Sequence, residues 1–249
     1  MNQTQPEQII PLSREWFRRE VLELAPELLG RLLVRRFAGG ELVVGRIVET
    51  EAYREDDPAS HSHRGRTPRT AAMFEDGGAA YVYLIYGMYH CFNVVADRAG
   101  VGSAVLIRAV EPLHGLAAMW RNRFGERGPT NGPPAGKTTA DPHGDCARRS
   151  PALRAALTNG PGKLAQSFAI TIAAHNGAAL YHGAADAELT IAERVVTGEG
   201  AERGERHEFA ATPPRRTART PRIGIRAAAD RHWRFADPES YALSRRPGQ

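Results

Sequence analysis

The run Ala80-Tyr81-Val82-Tyr83-Leu84-Ile85-Tyr86-Gly87-Met88-Tyr89-His90-Cys91-Phe92-Asn93-Val94-Val95 decides the fold. Aromatic and β-branched residues flank a single Gly87, which predicts strands over Ala80–Tyr86 and Tyr89–Val95 joined by a turn. A second turn at Asp97–Gly102 leads into a further strand, Ala104–Val110. Upstream, Gly39-Gly40 splits two more β-like runs, Leu32–Phe37 and Leu42–Tyr53. Strands joined by short turns, with no βαβ rhythm, predict an α+β domain with an antiparallel or mixed sheet and a few helices. Helical spacing covers residues 12–24 with Ser13 as N-cap, and Pro26 to Gly30 reads as a short helix with Gly30 past its end.

Charge and composition narrow the class. The chain has 249 residues, 42% of them hydrophobic and 24% charged, enough for a sizeable core. The longest stretch free of polar side chains apart from its four tyrosines, Ala79 to Tyr89, is too short to cross a membrane. The N-terminus has no signal-peptide pattern, so a cytoplasmic setting is expected. Two distant cysteines, Cys91 and Cys146, exclude a four-cysteine zinc site, a four-cysteine iron–sulfur cluster and a disulfide scaffold. The net charge is +5, and residues 201–249 hold eleven Arg against six acids, so the excess lies entirely in that C-terminal fifth. Only Lys137 and Lys163 are lysines. Arginine-rich segments suit phosphate recognition through the guanidinium fork, although an arginine-biased composition would produce the same count.

Residues 1–11 are expected to be flexible. Residues 121–155, poor in large apolar side chains, read as a loop insertion, and 198–222 as an exposed basic loop within one domain spanning 1–249. Gly136-Lys137-Thr138 resembles the end of a P-loop but lacks its first glycine, which is Asn131, and Pro133-Pro134 remove two N–H donors. In Glu49-Thr50-Glu51-Ala52-Tyr53, strand periodicity puts Glu49, Glu51 and Tyr53 on one face. Taken alone, those acids fit a solvated face best. His61, His63 and Glu51 could be metal ligands, but no fourth ligand is evident. Tyrosines at 81, 83, 86 and 89 are either a β-propensity cluster or an aromatic surface that stacks nucleobases beside arginines.

Together these segments resemble the alkyladenine (3-methyladenine) DNA glycosylase family. The resemblance runs through Ile47–Tyr53, His61-Ser62, Thr67-Pro68-Arg69, Met73-Phe74, Tyr81–Tyr89 and Cys91-Phe92-Asn93. It continues through Val105–Pro112, Gly160–Leu164 and Pro221–Ile225. It implies a curved sheet with arginine-rich loops facing DNA, and hydrolysis of the N-glycosidic bond of a damaged purine flipped out of the duplex. It also implies roles. Glu51 would activate water, with Arg108 positioning it and the backbone at Ile223 and Gly224 nearby. Tyr53, His61 and Tyr83 would wall the flipped base, and Asn93 would crowd the amino group of normal guanine. Tyr86 would fill the gap left in the stack. Arg69, Lys163 and Arg222 would touch the DNA backbone.

No metal or cofactor is implied, and the protein is expected to be a monomer acting on duplex DNA. A lyase would need an amine for a Schiff base, and Lys137, Lys163 and the α-amine are the only candidates, which favours a monofunctional hydrolase. A non-catalytic binder of damaged DNA is the alternative, and Glu51 separates the two, because a carboxylate repelled by phosphate gains a pure binder nothing. A nuclease with His and Glu metal ligands is a third reading, which predicts sensitivity to chelators.

Overall fold

The small and β-branched residues between Gly40 and Arg54 form the longest strand among the described residues, and the other strands assemble around it. The computed structural model describes residues 7–125, 150–181, 188–198 and 206–248. Its first half contains β1 (Gln8–Pro11), α1 (Arg14–Phe17), α2 (Val21–Glu27), β2 (Leu32–Arg36), β3 (Leu42–Tyr53), β4 (Ala80–Ile85), β5 (Tyr89–Val95) and β6 (Ala104–His114). Then follow α3 (Leu116–Phe124), α4 (Pro151–Thr158), α5 (Pro161–Ser167), α6 (Ile172–His175), β7 (Leu189–Val196), β8 (Glu208–Ala210), β9 (Ala218–Thr220) and β10 (Arg234–Ala236). Short 3-10 turns occupy His61–Arg64 and Ala71–Phe74.

The main order is β1-β7-β2-β3-β6-β5-β4, with β10 pairing β3 and β9, and β8 pairing β7. Among the described residues every pairing between strands is antiparallel. β3 pairs with β6 along one edge, while its other edge is shared by β2 at Leu42–Arg46 and β10 at Glu49–Glu51. The register against β6 slips between Ile47 and Thr50, around Glu49. Such bulges bend a strand and increase its twist, in keeping with the curled sheet. The main core packs Ile47, Ala52, Ile107 and Val110 against Leu24, Leu28, Leu164 and Phe168 of the helical side. Val44 and Val48 face smaller clusters, so β3 is covered on both faces and reads as an almost continuous buried run.

Several local expectations are corrected. The helix over 12–24 is two pieces: Arg18–Glu20 interrupts it, and Glu20 caps α2 by accepting from Leu22 N–H at 2.7 Å. Pro26 lies inside α2 rather than opening a new helix, because Val21, Leu24, Ala25 and Leu28 keep one buried apolar face across it. Within the supposedly flexible 1–11, Gln8–Pro11 is strand β1, paired with β7 and packing Ile9 on a buried cluster. Within 198–222, β8 and β9 join the sheet edge and Arg222 is buried, so that stretch is only partly an exposed loop. Both described ends of the 121–155 stretch are helical rather than loop, in α3 and α4, and residues 126–149 lie outside the described residues, as do the P-loop-like segment, Cys146 and Lys137.

Candidate active site

The two acids of β3 are not on a solvated face. Glu49 and Glu51 are both fully buried, and side chains from three other strands and loops converge on them. Glu51 Oε1 accepts from the backbone N–H of Ile223 at 2.7 Å. Its Oε2 accepts from the Tyr53 hydroxyl at 2.9 Å and from Arg108 Nη1 at 3.2 Å. Glu49 accepts from Arg108 Nε at 3.1 Å, Arg234 Nε at 2.7 Å, Ser244 N–H at 2.6 Å and Ser244 Oγ at 2.6 Å. Burial opposes the charge on Arg108, but Glu51 and Glu49 outweigh it and hold the guanidinium above its ordinary pKa. Burial, reinforced by Glu51, keeps Tyr53 well above the usual phenol range, so its hydroxyl remains a donor to the carboxylate.

Tyr53, His61, Tyr83 and Asn93 come together around one cavity of about 120 Å³, with Ser60, Met73, Tyr81 and Ile225. The His61 and Tyr83 rings meet edge to face at 4.5 Å between centroids. Tyr81 and His61 are joined by a hydrogen bond of 2.9 Å between the hydroxyl and Nδ1. Desolvation of the ring, with Arg69 nearby, lowers the His61 pKa, and burial pushes Tyr81 up to about 12, so both are neutral at pH 7. Asn93 is fixed by donating from Nδ2 to the Tyr81 carbonyl at 2.9 Å. Glu51 does not itself line the cavity. Tyr53 does, and its hydroxyl links that wall to the carboxylate.

Beyond the cavity, β4 runs out to the hairpin tip. Tyr86 is 83% exposed, flanked by exposed Leu84, Met88 and Tyr89. Its φ is +54°, a region an aromatic residue enters only with strain, and Gly87 follows at φ +70°. This is an apolar protrusion held in a strained turn, not a core aromatic. Gly162 packs against the Tyr89 ring, which brings exposed Lys163 beside the hairpin. Arg69 is exposed near the cavity mouth.

Arg222 departs from expectation. Its guanidinium is fully buried, paired with Asp57 through Nη1, bonded to the Ala52 carbonyl at 3.0 Å and stacked over the Tyr53 ring at 4.6 Å. Its place is behind the pocket wall rather than against a DNA backbone, because a buried carboxylate claims it. His61 and His63 also separate, since His63 Nδ1 turns to the Glu55 carbonyl while His61 faces Tyr81. Among the described residues, no group of three or more His, Cys, Asp or Glu could hold a metal ion. Sequence reasoning missed Arg234, Ser244 and Asp57. The charge set inside Trp233-Arg234-Phe235-Ala236 was a usable signal for the first, whereas nothing local marks the other two.

A sequence model of the family described as methylpurine-DNA glycosylase (MPG) matches residues 15–241. A protein of Rhodopseudomonas palustris is 42% identical over 234 residues, which is 94% of this chain and 88% of that protein. One of Chlorobium phaeobacteroides is 36% identical over 234 residues, 94% of each. One of Herpetosiphon aurantiacus is 60% identical over 108 residues, 43% of this chain and 49% of that protein. All three are named for 3-methyladenine DNA glycosylase.

Proposed function

The chain belongs to the methylpurine-DNA glycosylase family, hydrolases of N-glycosyl bonds in DNA, and from that premise we propose how its own residues carry the reaction. The target nucleotide swings out of the duplex into the aromatic cavity, because C1′ cannot be reached while the base is stacked. Tyr53, His61 and Tyr83 stack on and flank the purine, and Asn93 narrows the wall facing its exocyclic group. Tyr86 enters the gap left behind. A side chain that is exposed, apolar and held at positive φ suits that insertion.

Glu51 takes a proton from water while the water oxygen bonds to C1′. The C1′–N9 bond breaks with its electron pair leaving on the purine, so an alkylated cationic base departs neutral. An anionic carboxylate also stabilises the positive charge of an oxocarbenium-like transition state. Arg108 and the Ile223 N–H fix the carboxylate's orientation. Alkylated and deaminated purines (3-methyladenine, 7-methylguanine, hypoxanthine and etheno-adenine) are flat bases that such a cavity can stack.

The observation that carries this reading is a fully buried carboxylate held by three donors directly behind an aromatic cavity, a geometry without purpose in a pure binder. Glu51→Gln is expected to cut base release by about 10²–10⁴-fold, the span of a lost general base, with binding to lesion-bearing duplex retained. Release at a near-wild-type rate in that variant would overturn the assignment. Running the assay with a chelator present separates the reading from a metal nuclease.

A further inference from the structure

Two buried carboxylates stand two residues apart on β3, and the proposed reaction uses only one. Glu49 holds more donors than Glu51: Arg108, Arg234, and both the N–H and Oγ of Ser244. Arg108 is divided between them, with Nε on Glu49 and Nη1 on Glu51. A guanidinium is a rigid plane, so fixing Nε from behind fixes the direction in which Nη1 faces Glu51. The group balances as two carboxylates and two guanidinium ions, Arg108 and Arg234.

The other titratable side chains acting on Glu51 are Tyr53 from its own strand, Tyr83 from β4 and Cys91 from β5. Burial pushes all three upward, so they are neutral at working pH. The charges around Glu51 are therefore Arg108, Glu49, Arg234 through Glu49, and the buried Arg222–Asp57 ion pair against the Tyr53 ring. Ser244 lies beyond residue 241, where the family match ends. Ala242 and Leu243 anchor its segment by packing on Val48, Ala109 and Ala236, behind the catalytic strand.

We propose that Glu49 is a positioning residue for Arg108, that Ser244 clasps it there, and that the C-terminal segment thereby sets how strong a base Glu51 is. The proposal rests on the catalytic reading of Glu51 above. Without the charge of Glu49, the Arg108 guanidinium is left to Glu51 alone and Arg234 loses its carboxylate, which favours the ionised form of Glu51 and weakens it as a base. The Arg108 fork also loses its rear support.

The test is single-turnover base release from an alkylated duplex across pH, with duplex affinity measured beside it. Glu49→Gln is expected to slow release by on the order of tenfold, to move the acid limb of the profile to lower pH, and to leave duplex affinity unchanged. Ser244→Ala shifts both in the same direction by less, and Ser244→Thr, which keeps the hydroxyl, recovers most of the loss. A slow Glu49→Gln protein whose acid limb has not moved would show a merely structural role and overturn the proposal, as would an unchanged rate. If Glu49→Gln does not fold, Ser244→Ala decides, and an unmoved acid limb there overturns it equally. Retained release in Glu51→Gln is a different failure, and it removes the catalytic reading instead.

Discussion

At the inner end of β4, Tyr81 is 1% exposed, its ring beside Tyr83 and its hydroxyl on His61. Five residues further along the chain, Tyr86 stands 83% exposed at the hairpin tip. The two share a residue type and one short antiparallel hairpin. What differs is the cover: β5 and the 3-10 turn at Ala71–Phe74 enclose the inner end, while the tip projects past every packed layer. A tyrosine's role is thus set by what packs over it. One half of the hairpin walls the aromatic cavity, and the other leaves an apolar surface exposed.

The largest expected effect tests the buried end. Tyr81→Ala should destabilise the fold by about 3–5 kcal/mol, the range for emptying a large aromatic core site. A loss below about 1 kcal/mol by chemical denaturation would place Tyr81 with Tyr86 and break the comparison.

The exposed end should respond in the opposite way. Tyr86→Ser should change stability by less than about 0.5 kcal/mol, since its ring packs into no core cluster. It should instead slow release from a fully paired lesion by roughly tenfold more than from a mismatched one, where unpairing costs less. Equal slowing in both duplexes, together with a marked loss of stability, would sink the insertion role.

A smaller effect concerns pH. His61 titrates below its ordinary value in the folded protein, so the unfolded chain binds more protons and stability must fall as pH drops through about 6.5. Above that pH the contribution is fully present. His61→Gln should flatten the slope in denaturation midpoints measured between pH 7.5 and 5, although not completely, because the His175 pKa is also lowered by burial. An unchanged slope would mean that burial and Arg69 do not hold the ring neutral.

The smallest effect sharpens the outer half. Lys163 beside the hairpin and Arg69 near the cavity mouth are exposed cations. Replacing either by Ala should reduce the salt dependence of duplex affinity by about 0.9 log units per log salt for each phosphate no longer neutralised. Arg222→Ala should act differently, through stability, because its partner Asp57 is buried and would be left unpaired. A flattened salt slope without loss of stability for Arg222 would return it to the DNA surface.

The local sequence determined much of this protein. The strands at Leu32, Leu42, Ala80, Tyr89 and Ala104 were legible because β-branched and aromatic runs bounded by glycine turns specify strands through short-range sterics. The spacing of Glu49, Glu51 and Tyr53 likewise fixed which side chains share a face. Burial was beyond that reading. Whether Glu49 and Glu51 meet water or protein donors depends on Arg108, Ile223, Arg234 and Ser244, which arrive from 57 to 195 residues away. Arginines 222 and 234 look in sequence like their exposed neighbours 215, 216 and 219. Only the pairing of β10 with β3 and of Arg222 with Asp57 turned two of them inward. Charge is written in the sequence, but its desolvation is a property of what folds over it, and that is why tertiary structure alone decided which charges build the site.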